Sequence, residues 1–226
     1  MSADDSPANL LVLRVWLPDR PGALGAVATR IGAVGGDLVG IEIVDRGAGR
    51  VVDELSVALA NPDLVELLLS EIHDVEGVDV EDSRWLSGRA EDPVVSALQL
   101  AGRLGGVSST NELAEGIVAA AMVLLHADWS MLVATDSETS LAAATSGVHQ
   151  EAPGASWVCN FIRGVTESPV QDPATIEDLA MAEVEGSALA LVVARERVPL
   201  RGRERSVLRQ LCSLAASHPA VAQESS

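Results

Sequence analysis

The chain has 226 residues, of which 48% are hydrophobic and 21% charged, with a formal net charge of −18. That length allows one large domain or two small ones, each with its own core. Such an acidic balance excludes the usual nucleic-acid binder, because phosphate contacts need clustered cationic side chains. It also disfavours anionic membranes and promotes solubility.

Aromatic residues make up only 2%, with no Tyr, so the cores must be aliphatic. Every basic residue is Arg, which reads as codon bias and not as function. The N-terminus, MSADDSPAN, lacks a signal-peptide pattern, and no run of about twenty apolar residues is present to span a bilayer. A cytoplasmic protein is the expectation. Cys159 and Cys212 lie far apart, so neither a disulfide scaffold nor a metal site is expected.

Residues 10–17, LLVLRVWL, predict a strand ended by Pro18. Asp19 and Pro21 then read as helix-start signals, with Asp19 able to cap. Leu24, Val27, Ile31 and Val34 share one helix face, and Gly35-Gly36 stops the helix. A second strand runs from about Leu38 to Val44, and Asp45 to Gly49 predicts a hairpin. The third strand, Arg50 to Leu59, puts Val51, Leu55, Val57 and Leu59 on one side. Asn61-Pro62-Asp63 opens a helix carrying Leu64, Leu67, Leu68, Glu71, Ile72 and Val75, which Gly77 ends; Val78 to Asp82 is a short fourth strand. The order β-α-β-β-α-β predicts a ferredoxin-like antiparallel sheet with both helices on one face.

Residues 87–92, SGRAED, read as a linker between units at 10–86 and 93–220. In the second unit, Pro93 to Leu104 predicts a helix with Val94, Leu98, Ala101 and Leu104 on one side. Ser109 and Glu112 form a capping box for a helix reaching His126, with Leu113, Ile117, Ala120 and Leu124 inward. Trp129–Thr135 and Leu141–Thr145 read as strands. Residues 148–178 stay ambiguous, with a short helix possible at Ser156–Gly164. Ala188–Arg195 is a strand, and Gly202–Ser217 is a closing helix with Val207, Leu208, Leu211 and Leu214 inward. The tail after His218 is expected to fray.

The first unit resembles an ACT domain, through the turn Asp19-Arg20-Pro21-Gly22-Ala23-Leu24, the Gly35-Gly36 break and the element order. The resemblance implies a regulatory module that binds an amino acid between two copies of the chain. It implies contacts from Asp19 in the turn and Asp37 at the start of the second strand, where the family often has Asn. Candidate ligand-binding residues are therefore Asp19, Arg20, Gly22, Ala23, Leu24, Asp37, Val39 and Gly40. Two ionised Asp groups accept hydrogen bonds and suit an ammonium; a ligand carboxylate would need the N–H groups near Gly22 and Ala23. Leu17 stands where some members place a polar contact, which favours an apolar amino acid or none. The residues also admit simpler roles. Asp19 can be an N-cap, Asp37 a turn residue, Gly22 a site of tight helix packing and Gly40 a close backbone approach.

The second unit resembles a short GAF domain, through two opening helices, the strand Trp129-Ser130-Met131-Leu132-Val133 and the ending LALVVARERVPLRGRERSVLRQLCSLAAS. The resemblance implies a small-molecule or dimerisation module, and this copy reads as degenerate and structural. Cys159 reads as a small buried hydrophobe. The whole is α+β: a ferredoxin-like ACT domain plus a GAF-like α/β domain with a central antiparallel sheet. Arg195, Arg197, Arg201, Arg203, Arg205 and Arg209 form either an anion or partner-docking patch, or a solvated face paired with Glu196 and Glu204. His73 and His126 lie near predicted helix ends, where a cation suits the dipole, and His149 and His218 are scattered. No catalytic constellation, phosphate loop or cofactor motif is read, so the expectation is a non-enzymatic, homodimeric sensor without cofactor or metal. The alternatives are a GAF-type signalling or scaffold module in which the ACT unit only dimerises, with a partner protein on the GAF-like unit, or a regulatory subunit of a biosynthetic enzyme.

Overall fold

The computed structural model describes residues 9–86, 93–146, 151–166 and 178–222. Residues 1–8, the expected linker, residues 148–150 (with His149) and 167–177 of the ambiguous stretch, and the last four residues lie outside them. The chain divides into two compact units between Glu91 and Asp92.

The first unit runs β1 (Asn9–Pro18), α1 (Ala23–Ala33), β2 (Gly36–Gly47), β3 (Arg50–Leu59), a 3-10 turn (Pro62–Leu64), α2 (Val65–His73) and β4 (Asp79–Leu86). Its antiparallel sheet has the order β2-β3-β1-β4. Period-2 alternation sends Leu11, Leu13, Val15 and Leu17 of β1 and Leu55, Val57 and Leu59 of β3 to one face. There they meet Val27 and Ile31 of α1 and Leu68 and Ile72 of α2. Each such side chain contributes about 1.5–3 kcal/mol on burial. Gly35, at φ 82, ends α1, and Ala48 and Gly49, both at positive φ, close the β2–β3 hairpin in the primed geometry that matches strand twist. Leu67, read as part of the α2 stripe, is exposed; Leu68 and Ile72 carry the packing. β4 is longer than the five residues expected.

The face away from the helices carries an ion network. Arg14, 1% exposed, donates from Nε (3.1 Å) and Nη2 (2.7 Å) to Glu54 Oε1. Arg84 donates to both oxygens of the same carboxylate at 3.2–3.3 Å. Burial alone would raise Glu54, but Arg84 and Arg14 outweigh it and hold its carboxyl down to about 2. Trp16 Nε1 donates to Glu81 Oε1 at 3.1 Å, and Arg50 lies over the Trp16 ring.

The second unit runs α3 (Pro93–Leu104), α4 (Thr110–Leu125), β5 (Trp129–Ala134), β6 (Thr139–Thr145), α5 (Ala155–Thr166), β7 (Leu179–Val184), β8 (Leu189–Ala194), α6 (Gly202–Ala216) and α7 (Pro219–Ala222). The sheet order is β6-β5-β8-β7, antiparallel throughout, so the expected α+β class holds. Leu132, Leu191 and Val193 face α4 and α6, whereas Met131, Val133 and Val192 face Val158, Cys159 and Ile162 of α5. Covering on both faces explains why β5 and β8 are continuous apolar runs instead of alternating ones.

Several expectations need correcting. Val94 and Leu98 of α3 are exposed, because α3 reaches the core through Leu100 and Leu104. β7 was not foreseen, since LAMAEV has weak strand propensity and owes its place to pairing with β8. The tail after His218 forms α7, held by buried Val221. Leu124, Val207 and Leu214 are only partly buried, and Leu125 and Cys212 take the inward positions. Ser109 does cap α4, accepting from Glu112 N–H at 3.2 Å, while Glu112 accepts from Ser108 N–H.

Candidate functional site

The turn between β1 and α1 forms a polar corner. Asp19 N–H donates to Gly49 O at 2.9 Å and Arg20 N–H to Pro18 O at 2.8 Å, which folds the chain sharply off β1. The cap of α1 is Gly22, at φ 90 and ψ −13, with no side-chain cap hydrogen bond. Asp19 is therefore not the helix cap, and Pro21 precedes the helix by two residues. A Cβ at Gly22 would meet nothing within 4 Å, so its left-handed backbone, not tight helix packing, calls for glycine. Ala23 N–H bonds Arg20 O and Ala26 N–H bonds Gly22 O. The amides of Leu24 and Gly25, also in the first turn, find no backbone acceptor among the described residues, and they lie at the positive end of the helix.

Three charged side chains converge beside this turn. Asp19 Oδ2 lies 3.6 Å from Arg46 Nε, with side-chain exposures of 41% and 60%. Asp53, on β3, is 4% exposed. Its carboxyl is raised, first by burial, with Arg46 lowering it and Asp19 raising it. Register explains the grouping. Arg46 pairs with Val51 and Ile43 with Asp53, and a bulge at Val44 separates Ile43 from Asp45. That extra residue turns Arg46, instead of Asp45, toward the face that carries Asp53. Arg46 and Asp53 are then diagonal neighbours, about 7–8 Å apart, within reach of a long side chain.

The sequence candidates divide. Asp19, Gly22, Ala23 and Leu24 belong to the corner; Ala23 is buried and Leu24 packs on the core. Arg20 points to exposed Glu76 at 4.0 Å, a pair of little energetic weight. Asp37, Val39 and Gly40 lie toward the other end of the sheet, since Gly36 pairs with Leu59 and Leu59 with Asn9. At roughly 3.3 Å per residue, Asp37 is about 25–30 Å from Arg46 along β2. Asp37 and Asp19 cannot share one ligand within a single chain. A Cβ on Gly40 would lie 3.3 Å from Ser56 Cβ, so the close approach expected there comes from a side chain of the same sheet. Val39, Ile41 and Ile43 are half exposed along β2, the edge strand. Arg46 and Asp53 were missed. The signal was present: Asp53 is the one charged residue in the inward series 51, 53, 55, 57, 59.

Of the arginine cluster in the second unit, Arg195 and Arg205 are tied into the fold, while Arg197, Arg203 and Arg209 are exposed. Arg195, buried against Glu204 at 2.5 Å, donates to Leu125 O, Val198 O and Pro199 O. Arg205 donates to Leu200 O. Cys159 and Cys212 are buried free thiols; burial raises both, Cys212 to about 12. No group of three or more potential metal ligands occurs among the described residues. No helix among them is long and apolar enough to cross a membrane.

Residues 11–77 match the family model of the ACT domain. Solved structures similar to the chain include the ACT domain from GTP pyrophosphokinase of Chlorobium tepidum, at 19% identity and TM-score 0.29, covering 35% of this chain and 99% of that one. The C-terminal domain of the MgtC protein from Mycobacterium tuberculosis is similar at 19% identity and TM-score 0.30, covering 39% and 100%. The chromophore-binding domain of Stigmatella aurantiaca phytochrome P1 is similar at 15% identity and TM-score 0.30, covering 92% and 78%. No curated protein matches the chain. The expected ACT region at residues 10–86 agrees with the family match at residues 11–77.

Proposed function

We propose that this chain is a non-enzymatic regulatory protein of the cytoplasm whose ACT region binds an amino acid, or a similar small molecule, between two copies of the chain. The ACT region is a regulatory, ligand-binding module. The observation that carries the reading is the polar corner: in the turn that carries Asp19, the amides of Leu24 and Gly25 in the first turn of α1 have no backbone acceptor among the described residues, and no side chain caps the helix. A helix N-terminus attracts a carboxylate and an aspartate attracts an ammonium, so one corner offers both poles that an amino acid needs.

Asp37 joins only through a second copy. Antiparallel pairing of two β2 edges would bring the start of one strand beside the end of the other, and Asp37 beside the partner's corner. Val39, Ile41 and Ile43 supply an apolar edge suited to that pairing. Binding would favour the dimer, and the shift would pass to the GAF-like unit.

The test is a thermal-shift screen of the full chain against the twenty amino acids at millimolar concentration. A ligand at one hundred times its Kd stabilises by about 2.7 kcal/mol. Asp19→Ala and Asp37→Ala should each abolish the response; no response from any amino acid refutes the reading. A second reading, in which the ACT region only dimerises and the GAF-like unit docks a protein, draws on the exposed apolar residues Val94, Val95 and Leu98 of α3. It predicts a partner captured by the full chain and lost in Leu98→Glu.

A further inference from the structure

Asp53 breaks the aliphatic pattern of its strand. It occupies an inward position of β3, between Val51 and Leu55, where the sheet otherwise presents aliphatic side chains to α1 and α2. It is 4% exposed, and its Oδ1 has no hydrogen-bond partner among the described residues. A buried carboxylate without a partner is costly, and an aliphatic residue at that position would stabilise the sheet. The bulge at Val44 brings Arg46 to the same face, yet Arg46 makes its ion pair with the more exposed Asp19. The corner thus holds two carboxylates and one guanidinium, and the buried carboxylate has an oxygen, Oδ1, without a hydrogen-bond partner among the described residues.

We propose that Asp53 anchors the ammonium group of the amino-acid ligand, with Asp19 as its outer partner and Arg46 released to join the first-turn amides of α1 on the ligand carboxylate. This rests on the amino-acid reading above and adds to it the residues that distinguish the two poles. Asp19 and Arg46 form a half-exposed pair at 3.6 Å, which a zwitterion can replace by giving each charge a new partner of opposite sign. The exchange loses one weak ion pair and gains charge-assisted bonds on both sides, including one to the Asp53 Oδ1 that has none. A blocked amine forfeits the anchor, and a blocked carboxylate forfeits Arg46 and its attraction to the first-turn amides of α1.

The experiment measures binding by calorimetry on the full chain, using whichever of the twenty amino acids stabilises the wild type, its N-acetyl derivative and its amide. Wild type, Asp53→Asn, Asp53→Ser and Arg46→Gln are compared. The expected result is at least a tenfold loss of affinity in both Asp53 variants and for the N-acetyl derivative. Wild type should prefer the acid over the amide, and Arg46→Gln should reduce that preference. The unliganded Asp53→Asn protein should melt no lower than wild type, since a buried charge has been removed. Binding by the wild type that survives both Asp53 substitutions overturns the anchor and leaves the amino-acid reading standing. No amino acid binding the wild type overturns both.

Discussion

Glu54→Gln tests the electrostatic bookkeeping of the first unit. Glu54 is the shared acceptor of Arg14 and Arg84, and its carboxyl is held at about 2 against an ordinary value of 4.5. Each unit of displacement is worth 1.36 kcal/mol, so the ionised form contributes about 3 kcal/mol to the folded state. The sign is that of a depressed acid. The contribution is complete above about pH 4.5 and is lost as pH falls from there through about 2. Substitution by Gln also leaves Arg14, 1% exposed, without its carboxylate, and breaking a buried pair from one side costs about 3–5 kcal/mol. At about 4–8 °C per kcal/mol for a unit of this size, its melting transition should fall by about 12–40 °C at neutral pH. Calorimetry from pH 7 to pH 2, on wild type and variant, reads the effect. The gap between the two proteins should shrink as the medium is acidified. A constant gap, or one below about 1 kcal/mol at pH 7, would show that the network does not hold Glu54 as described.

Two further outcomes follow from local geometry. Gly22→Ala must place a Cβ in a left-handed backbone without any steric clash, so it should cost about 1–2 kcal/mol in a denaturant melt. A neutral effect would mean that the turn relaxes readily, and with it the corner. Cys212, whose thiol burial drives to about 12 and which donates to Ala182 O at 3.4 Å, should resist a thiol reagent at pH 8 in the native protein. Cys159 should resist it as well, with both thiols reacting in urea; rapid native labelling of either would contradict the packing of α5 and α6.

Some of this protein could be read directly from its residues because the causes are local. The apolar run Leu10 to Leu17, ended by Pro18, marks β1 whatever lies opposite. Gly35, Gly49 and Gly77, all at positive φ, mark where elements end. Ser109 caps α4 through a bond spanning three residues. Such periodicities and caps carried the βαββαβ order of the first unit and most helices of the second.

Other features were settled only in three dimensions. Asp19 has the composition of a cap, but the turn folds so that the chain reaches α1 through Gly22. Val94 and Leu98 have the spacing of an inward stripe, but the rotation of α3 is set by where Leu100 and Leu104 find space. LAMAEV becomes β7 because a neighbouring strand offers it a ladder. The corner itself joins three strands: Asp19 after β1, Arg46 at the end of β2 and Asp53 within β3. Their meeting depends on a one-residue bulge that reverses which side chains of β2 face the helices. Periodicity fixes the face of a residue only while the register is unbroken. Where a bulge shifts the register, the face, and the charge presented there, belong to the fold.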